Sequence, residues 1–213
     1  MARRSAADAA RTRADMLMAA RRLFAEQGYA ATTTGQIAEA AGVTVGALFH
    51  HFDGKPGLFR TVFAEIDAEL EVTIREAAEQ AGGAAVGIEA FLAGFRAYLE
   101  FARRREFYRI MMREGPVVLG EDEPHALDAR RGAAALVQGL ELLVAEGVIE
   151  DRPIRPLALL LFGSTVEAGL EAARGAGPAD LDALVEAMRY LLRPHLRVPA
   201  PAPSSVPVKK RRP

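Results

Sequence analysis

Apolar residues recur at helical spacing along almost the whole of this chain. From Thr12 to Glu26, Leu17, Ala20 and Phe24 share a face, Arg13, Arg21 and Arg22 take polar positions, and Gly28 provides a stop. Thr33, with Gln36 three residues on, fits a capping box that opens a short helix ending at Ala41-Gly42. Thr44 is placed to cap a second short helix through Phe52, closed by Asp53-Gly54-Lys55-Pro56. Pro56 suits the first turn of the next helix. That helix is long, with Leu58, Phe59, Val62, Phe63, Ile66, Leu70 and Ile74 forming one stripe before Gly82-Gly83 breaks it. Further helical patterns fall at about 86–103, 105–114, 124–147, 156–174 and 178–194. Gly115-Pro116, Pro153, Pro156 and Gly175 to Pro178 punctuate them. No run alternates apolar and polar residues between turns, so no strand is expected and the fold class is all-α.

Composition narrows the picture. Half of the 213 residues are hydrophobic, 26% are charged, and there is neither cysteine nor tryptophan. This is the profile of a globular domain. It leaves no disulfide framework, thiolate zinc site or cysteine nucleophile. The longest apolar run, Pro156 to Val166, is interrupted by Gly163, Ser164 and Thr165 and falls short of the ~18 residues a membrane helix needs. Met1-Ala2-Arg3-Arg4-Ser5 lacks the apolar segment of a secretory signal. A cytoplasmic protein with no membrane partner is therefore expected. Charge is uneven: residues 1–60 hold eight Lys/Arg against five Asp/Glu, and residues 197–213 hold five basic and no acidic groups. With a formal net charge of -1 overall, the middle of the chain is left at -9. A basic front on an acidic body is what a chain touching polyanion with one part only would carry.

Two short helices joined by a tight turn and braced by a longer one suit DNA, since the second can enter the major groove while the first crosses the backbone. Ile37, Ala38, Val43, Leu48 and Phe52 are placed to pack inward, and Gly42 can turn the chain in a left-handed conformation. The stretch from Gly28 through Thr44, then Leu48-Phe49-His50-His51-Phe52 and Lys55, resembles the tetracycline-repressor (TetR) family over roughly residues 10 to 60. The resemblance implies an N-terminal three-helix helix-turn-helix DNA-binding domain over 1–56, with a flexible arm at 1–10. It further implies a helical effector-binding and dimerisation domain over 57–196. A disordered basic tail would occupy 197–213, since its proline, serine and valine cannot bury a core.

By the same resemblance Thr34, His51 and Lys55 contact phosphates, which fits hydroxyl donors and cations near helix ends. Thr44, Val45, Gly46, Ala47 and Phe49 occupy the groove-facing stretch, with His50 beside it. Two departures matter. Many relatives carry tyrosine where this chain has Phe49, so a hydroxyl contact is missing, and Gly35 stands where relatives often carry a polar side chain. The reading helix has no Arg, Lys, Asn or Gln to make bidentate contacts with guanine or adenine. Val45, Ala47 and Phe49 would then meet thymine methyls, while Thr44, His50 and Gln36 supply the few polar contacts. Arg3, Arg4, Arg11 and Arg13 are expected to add minor-groove or phosphate contacts from the arm. No metal site is expected at His50-His51, because adjacent positions do not share a helical face; no cofactor is expected either.

In the body, Phe91, Leu92, Phe95, Tyr98, Leu99, Phe107, Ile110, Met111 and Met112 either fill a core or line a cavity. The effector-pocket candidates are Phe95, Tyr98, Leu99, Ile110, Met111, Glu114 and Glu167. Arg109, Arg113, Glu114 and Glu167 would orient an effector, pair with one another or face solvent. Apolar stripes on the last two helices, Leu159, Leu160, Phe162, Val166 and Leu170, then Leu181, Leu184, Val185, Met188, Leu191 and Leu192, imply by resemblance a homodimer built as a four-helix bundle. Two-fold symmetry would set the reading helices about 34 Å apart on a palindromic double-stranded operator. The expected mechanism is a small-molecule effector that shifts the spacing of the heads through the long helix. Lys209 to Arg212 would strengthen DNA binding non-specifically or serve as a solubility tail.

An enzyme is the main competing class. None of the four serines lies in a Gly-x-Ser-x-Gly elbow, and no phosphate-binding loop, dinucleotide fingerprint or His-Glu-x-x-His run is present. No enzymatic activity is expected. The expectation is a ligand-responsive repressor; the alternative is an architectural DNA-binding protein or an activator without an effector.

Overall fold

The computed structural model describes residues 6–82, 87–120, 126–151 and 153–197. Arg3, Arg4 and the Lys209 to Arg212 cluster, and with them most of the expected tail, lie outside the described residues. Among those residues the helices are α1 (Ala6–Gln27), α2 (Thr34–Ala40), α3 (Val45–His51), α4 (Gly54–Gly82) and α5 (Ile88–Ala102). A π-helix (Phe107–Glu114) then leads straight into α6 (Gly115–Leu119), followed by α7 (Ala126–Ala145), α8 (Ile154–Ala173) and α9 (Pro178–Leu192). The only extended pairing among the described residues is an isolated antiparallel bridge between Ile149 and Leu196.

Three boundaries differ from expectation. Helix α1 begins at Ala6 rather than near Thr12, so Ala6–Ala10 and Arg11 are helical rather than part of a loose arm, and the contacts expected of Arg11 and Arg13 would come from a helix. The alanine-rich start favours helix, and Asp8 in the first turn complements the positive end of the helix dipole. Gly115-Pro116 does not end a helix, because Pro116 stands in the first turn of α6, where no backbone N–H is required of it. Helix α4 starts at Gly54 rather than at Pro56.

A hydrophobic core accordingly runs through both parts. Met16, Ala20 and Phe24 of α1, Ile37 of α2, Leu48 of α3, and Leu58, Phe59, Val62 and Ile66 of α4 are fully buried. The same core takes in Phe101, Phe107, Ile110 and Leu119. A second core gathers Leu92 and Leu99 of α5, Leu140 and Leu143 of α7, Ala158 and Leu161 of α8, and Leu181, Met188 and Leu192 of α9. Helix α5 packs along α4 on one side and against α8 and α9 on the other. Arg96–Asp182 and Arg189–Glu89 ion pairs brace its contact with α9.

Helix α8 is, by length and mean hydropathy, apolar enough to cross a membrane. This differs from the sequence expectation because Gly163, Ser164 and Thr165 interrupt the run without lowering its average much. In the fold, Ala158, Leu161, Gly169 and Ala172 of α8 are buried, whereas Leu159 and Leu160 are 65% and 72% exposed.

Arg21 ties three elements together. Its guanidinium donates to Glu69 of α4 (2.7 Å from Nη2) and to Glu106 beside the π-helix (2.9 Å from Nε). Hydrogen bonds from Arg21 hold the Glu69 carboxyl below the usual carboxylate range, against the opposing effect of desolvation. A lowered native pKa stabilises the fold above the unfolded value of about 4.3. That contribution disappears as pH falls through the lowered native value. Half-exposure of Glu69 keeps it small. Melting temperature measured against pH should therefore fall less steeply on acidification in Glu69→Gln than in the parent protein.

Candidate nucleic-acid interface and cavity

The head is built by local caps. Thr33 Oγ1 accepts from the Gln36 N–H at 3.2 Å, and Gln36 Oε1 accepts from the Thr33 N–H at 2.8 Å, completing the expected capping box. Gln36 Oε1 also accepts from Gln27 Nε2 at 3.3 Å, so the carbonyl end of this side chain is spent inside the protein. Thr44 Oγ1 accepts from the Ala47 N–H at 3.2 Å and starts α3. Gly42, with φ +65°, makes the turn between the two helices in the left-handed region.

Helix α3 buries Leu48 and turns a small, mostly apolar face outward. Thr44, Gly46 and His50 are exposed, as are Val45 (41%) and Phe49 (58%), while Ala47, His51 and Thr34 are half-buried. The Phe49 ring lies against the backbone of Gly54, where a Cβ would come within 3.3 Å of it. The His50 and His51 rings stand 5.4 Å apart and tilted at 68°. Among the described residues no group of three His, Cys, Asp or Glu is placed to share a metal ion.

Two basic residues pack against the head, Lys55 half-buried and Arg13 from the exposed side. Lys55 Nζ donates to the Tyr29 and Thr32 carbonyl oxygens, both at 2.9 Å, and sits 4.1 Å above the Tyr29 ring centre. Lys55 thus fastens the α1–α2 loop to the start of α4. The Arg13 guanidinium lies 5.0 Å over the Phe52 ring, bracing α1 against the end of α3. Thr32, which the sequence did not single out, is fully buried and donates to the Gly28 carbonyl at 2.7 Å.

In the body an apolar cavity of about 690 Å³ opens between α4, α5, the π-helix, α7 and α8. Of the seven pocket candidates, Phe95, Tyr98 and Met111 line it. Leu99 and Ile110 do not, being fully buried in the two cores. Glu167 does not either: it is largely exposed, 3.7 Å from Arg174. Lining residues not on that candidate set include Phe63, Asp67, Leu70, Phe162 and Thr165. The apolar stripe of α4 already holds Phe63 and Leu70, whereas Phe162, Val166 and Leu170, which the sequence assigns to the dimer stripe of α8, line the cavity instead.

Glu114 is placed elsewhere, in a clamp on the end of α1. Its Oε2 accepts from the Tyr29 N–H at 2.7 Å, and its Oε1 lies 3.6 Å from Arg109 Nε. Arg109 and Arg105 donate to the Glu26 carbonyl at 3.0 and 3.2 Å, setting two cations at the negative end of α1. Gly28 (φ +87°) permits the approach, since a Cβ there would collide with the Glu114 carboxylate. The π-helix therefore contributes Met111 and Met112 to the cavity wall while its polar residues hold the helix entering the head.

The fold and these surfaces define an all-α helix-turn-helix protein with a cavity-bearing helical body. The family model for bacterial regulatory proteins of the tetR family matches residues 16–62, and the tetracyclin repressor-like C-terminal domain matches residues 88–195. The chain belongs to the TetR family. It is 46% identical over 63 residues to the HTH-type transcriptional regulator AcrR of Shigella flexneri, an alignment covering 30% of this chain and 29% of that protein. The chain thus spans under a third of the length of that curated relative. A TetR-family transcriptional regulator from Pectobacterium atrosepticum superposes with a TM-score of 0.72 at 35% identity, over 92% of this chain and all of that one. A gamma-butyrolactone receptor (ArpA like protein) gives 0.58 at 26% identity, over 89% and 90% of the two chains.

Proposed function

We propose that the protein is a dimeric transcriptional repressor, released from a palindromic operator by a small molecule held in the apolar cavity. The observation that carries this reading is the π-helix, which forms cavity wall and head clamp within eight residues. A ligand pressing on Met111 and Met112 acts on the same turn of chain that carries Arg109 and Glu114. Moving that turn biases α1 and, through it, the reading head. The cavity favours this reading over an architectural protein without an effector, and the receptor among its relatives supports a small-molecule signal.

Thr34, Thr44, Val45, Gly46, Ala47, Phe49, His50 and His51 form the proposed DNA surface, with Thr34 and His51 on phosphate and the α3 face on base edges. Gln36 and Lys55 contribute through their hold on the head. Exposed Leu159 and Leu160 of α8 with Tyr190 and Leu191 of α9 supply an apolar face for a two-fold bundle. The protein works in the cytoplasm, where its operator is, without catalysing a reaction.

The test is selection of bound duplexes from a random pool, followed by titration of the enriched site. A palindromic site with half-sites one helical turn apart is expected. Thymine should dominate the positions facing Val45, Ala47 and Phe49, because methyl contact replaces bidentate hydrogen bonding there. Enrichment of guanine at those positions, or of no symmetric site, would overturn the reading.

A further inference from the structure

The chemistry of the cavity wall narrows what it can hold. Its described lining is almost wholly apolar, and only Asp67, Tyr98 and Thr165 bring polar side chains to it. Thr165 Oγ1 is buried and has no hydrogen-bond partner among the described residues. A buried hydroxyl without a partner carries a desolvation cost that a ligand can relieve. Tyr98, half-buried, makes ring contacts with Phe95 and Phe107. Burial pushes the Tyr98 hydroxyl pKa well above its ordinary value, as expected where ionised groups are poorly solvated.

Both side chains come to helix α8 beside the cavity. The Tyr98 hydroxyl rests against Gly169 of α8, where a Cβ would collide with it. Gly169 lies four residues beyond Thr165, which puts both positions on one face of the helix, about 6 Å apart along its axis. Tyr98 and Thr165 therefore form one polar spot on an otherwise greasy wall. Each hydroxyl can donate or accept, so the pair suits an alcohol, ketone or ester oxygen.

We infer that the ligand of this cavity is a neutral, largely hydrocarbon molecule whose single oxygen-bearing group sits between Tyr98 and Thr165. No lysine, arginine or histidine stands in the described lining to replace the hydration of a carboxylate. Asp67, the one charged side chain there, repels an anion. It also has interactions of its own, so it is not a spare counter-ion for an ammonium group. The cavity volume is in the range of ordinary small-molecule sites. The inference rests on reading this cavity as the effector site.

Four probes with one chain length test it by calorimetry on the full-length protein at neutral pH: n-decanol, methyl decanoate, decanoate and decylammonium. The two neutral probes are expected to bind at least about tenfold more tightly than the charged ones, the cost of burying charge without a partner. Tyr98→Phe and Thr165→Val should each weaken n-decanol by about 3–10-fold, the worth of one hydrogen bond. Binding of n-decane should stay unchanged in both variants, which separates loss of the hydroxyl from loss of the fold. Equal or tighter binding of a charged probe, no effect of either substitution, or no binding by any probe would overturn the inference. Release of the selected duplex is read separately. Neutral-selective binding that leaves DNA bound sustains the ligand chemistry and counts against the effector reading. Release by a charged probe alone does the reverse.

Discussion

Replacing Phe59 with alanine should destabilise the protein by about 3–5 kcal/mol and, if the proposed function holds, abolish binding of the selected duplex at the temperature where the parent still binds. Phe59 is fully buried at the start of α4, edge-on to Phe24 (centroids 5.2 Å apart) and to Tyr29 (5.0 Å). These rings lock α1, the α1–α2 loop and α4 to one another. Removing the central one leaves a cavity that three elements would have to collapse into, and α1 is also held from behind by Arg105 and Arg109. A domain of this size has roughly 5–15 kcal/mol of stability in total, so such a loss is a large share. Denaturant unfolding measures it, with Phe59→Leu as the control that keeps most of the volume. A loss below about 1 kcal/mol, the range of volume-conserving swaps, would mean that the aromatic cluster does not carry the head.

Lys55→Met is expected to lower stability by about 1.5–3 kcal/mol, the scale of a hydrogen bond to a charged group. It should weaken DNA binding through the same cause. Methionine keeps an unbranched stem but leaves the Tyr29 and Thr32 carbonyls without their donor and removes the cation above the Tyr29 ring. A lysine acting only on a phosphate gives another pattern: unchanged melting, with a salt dependence of binding shallower by about 0.9. Measuring both quantities on one variant separates the clamp from the phosphate contact. Unchanged stability would remove the clamp from the account of the head.

The caps and turns of the head were legible in sequence because their causes are local. Thr33 and Gln36 are three residues apart and satisfy each other, Gly42 supplies a left-handed turn, and Thr44 starts the helix it precedes. The start of α1 and the continuity at Gly115-Pro116 were less legible. The charge of Arg11 and Arg13 suggests an arm while the alanines around them favour helix, and Pro116 breaks a helix interior but is tolerated in a first turn.

The candidate site divides along the same line. An apolar stripe states which face of a helix turns inward, but not whether two such faces meet or leave a space. Phe95, Tyr98 and Met111 therefore look the same in sequence as Leu99 and Ile110, although only the first three face the cavity. Charged partners are harder still: Glu114 finds the Tyr29 N–H across 85 positions, and Arg21 finds Glu106 across another 85. Nothing in the neighbourhood of Glu114 distinguishes a ligand-binding carboxylate from a clamp.

By itself the sequence determined an all-helical chain with a helix-turn-helix near its start, whose second helix is poor in hydrogen-bonding side chains. Those properties depend on residues within a turn or two of one another. Tertiary structure alone decided that Lys55 points into the head, that Glu114 grips the end of α1, and that Tyr98 and Thr165 share one wall. Each of these depends on how helices far apart in sequence come to lie side by side, and helical periodicity carries no information about which faces will meet.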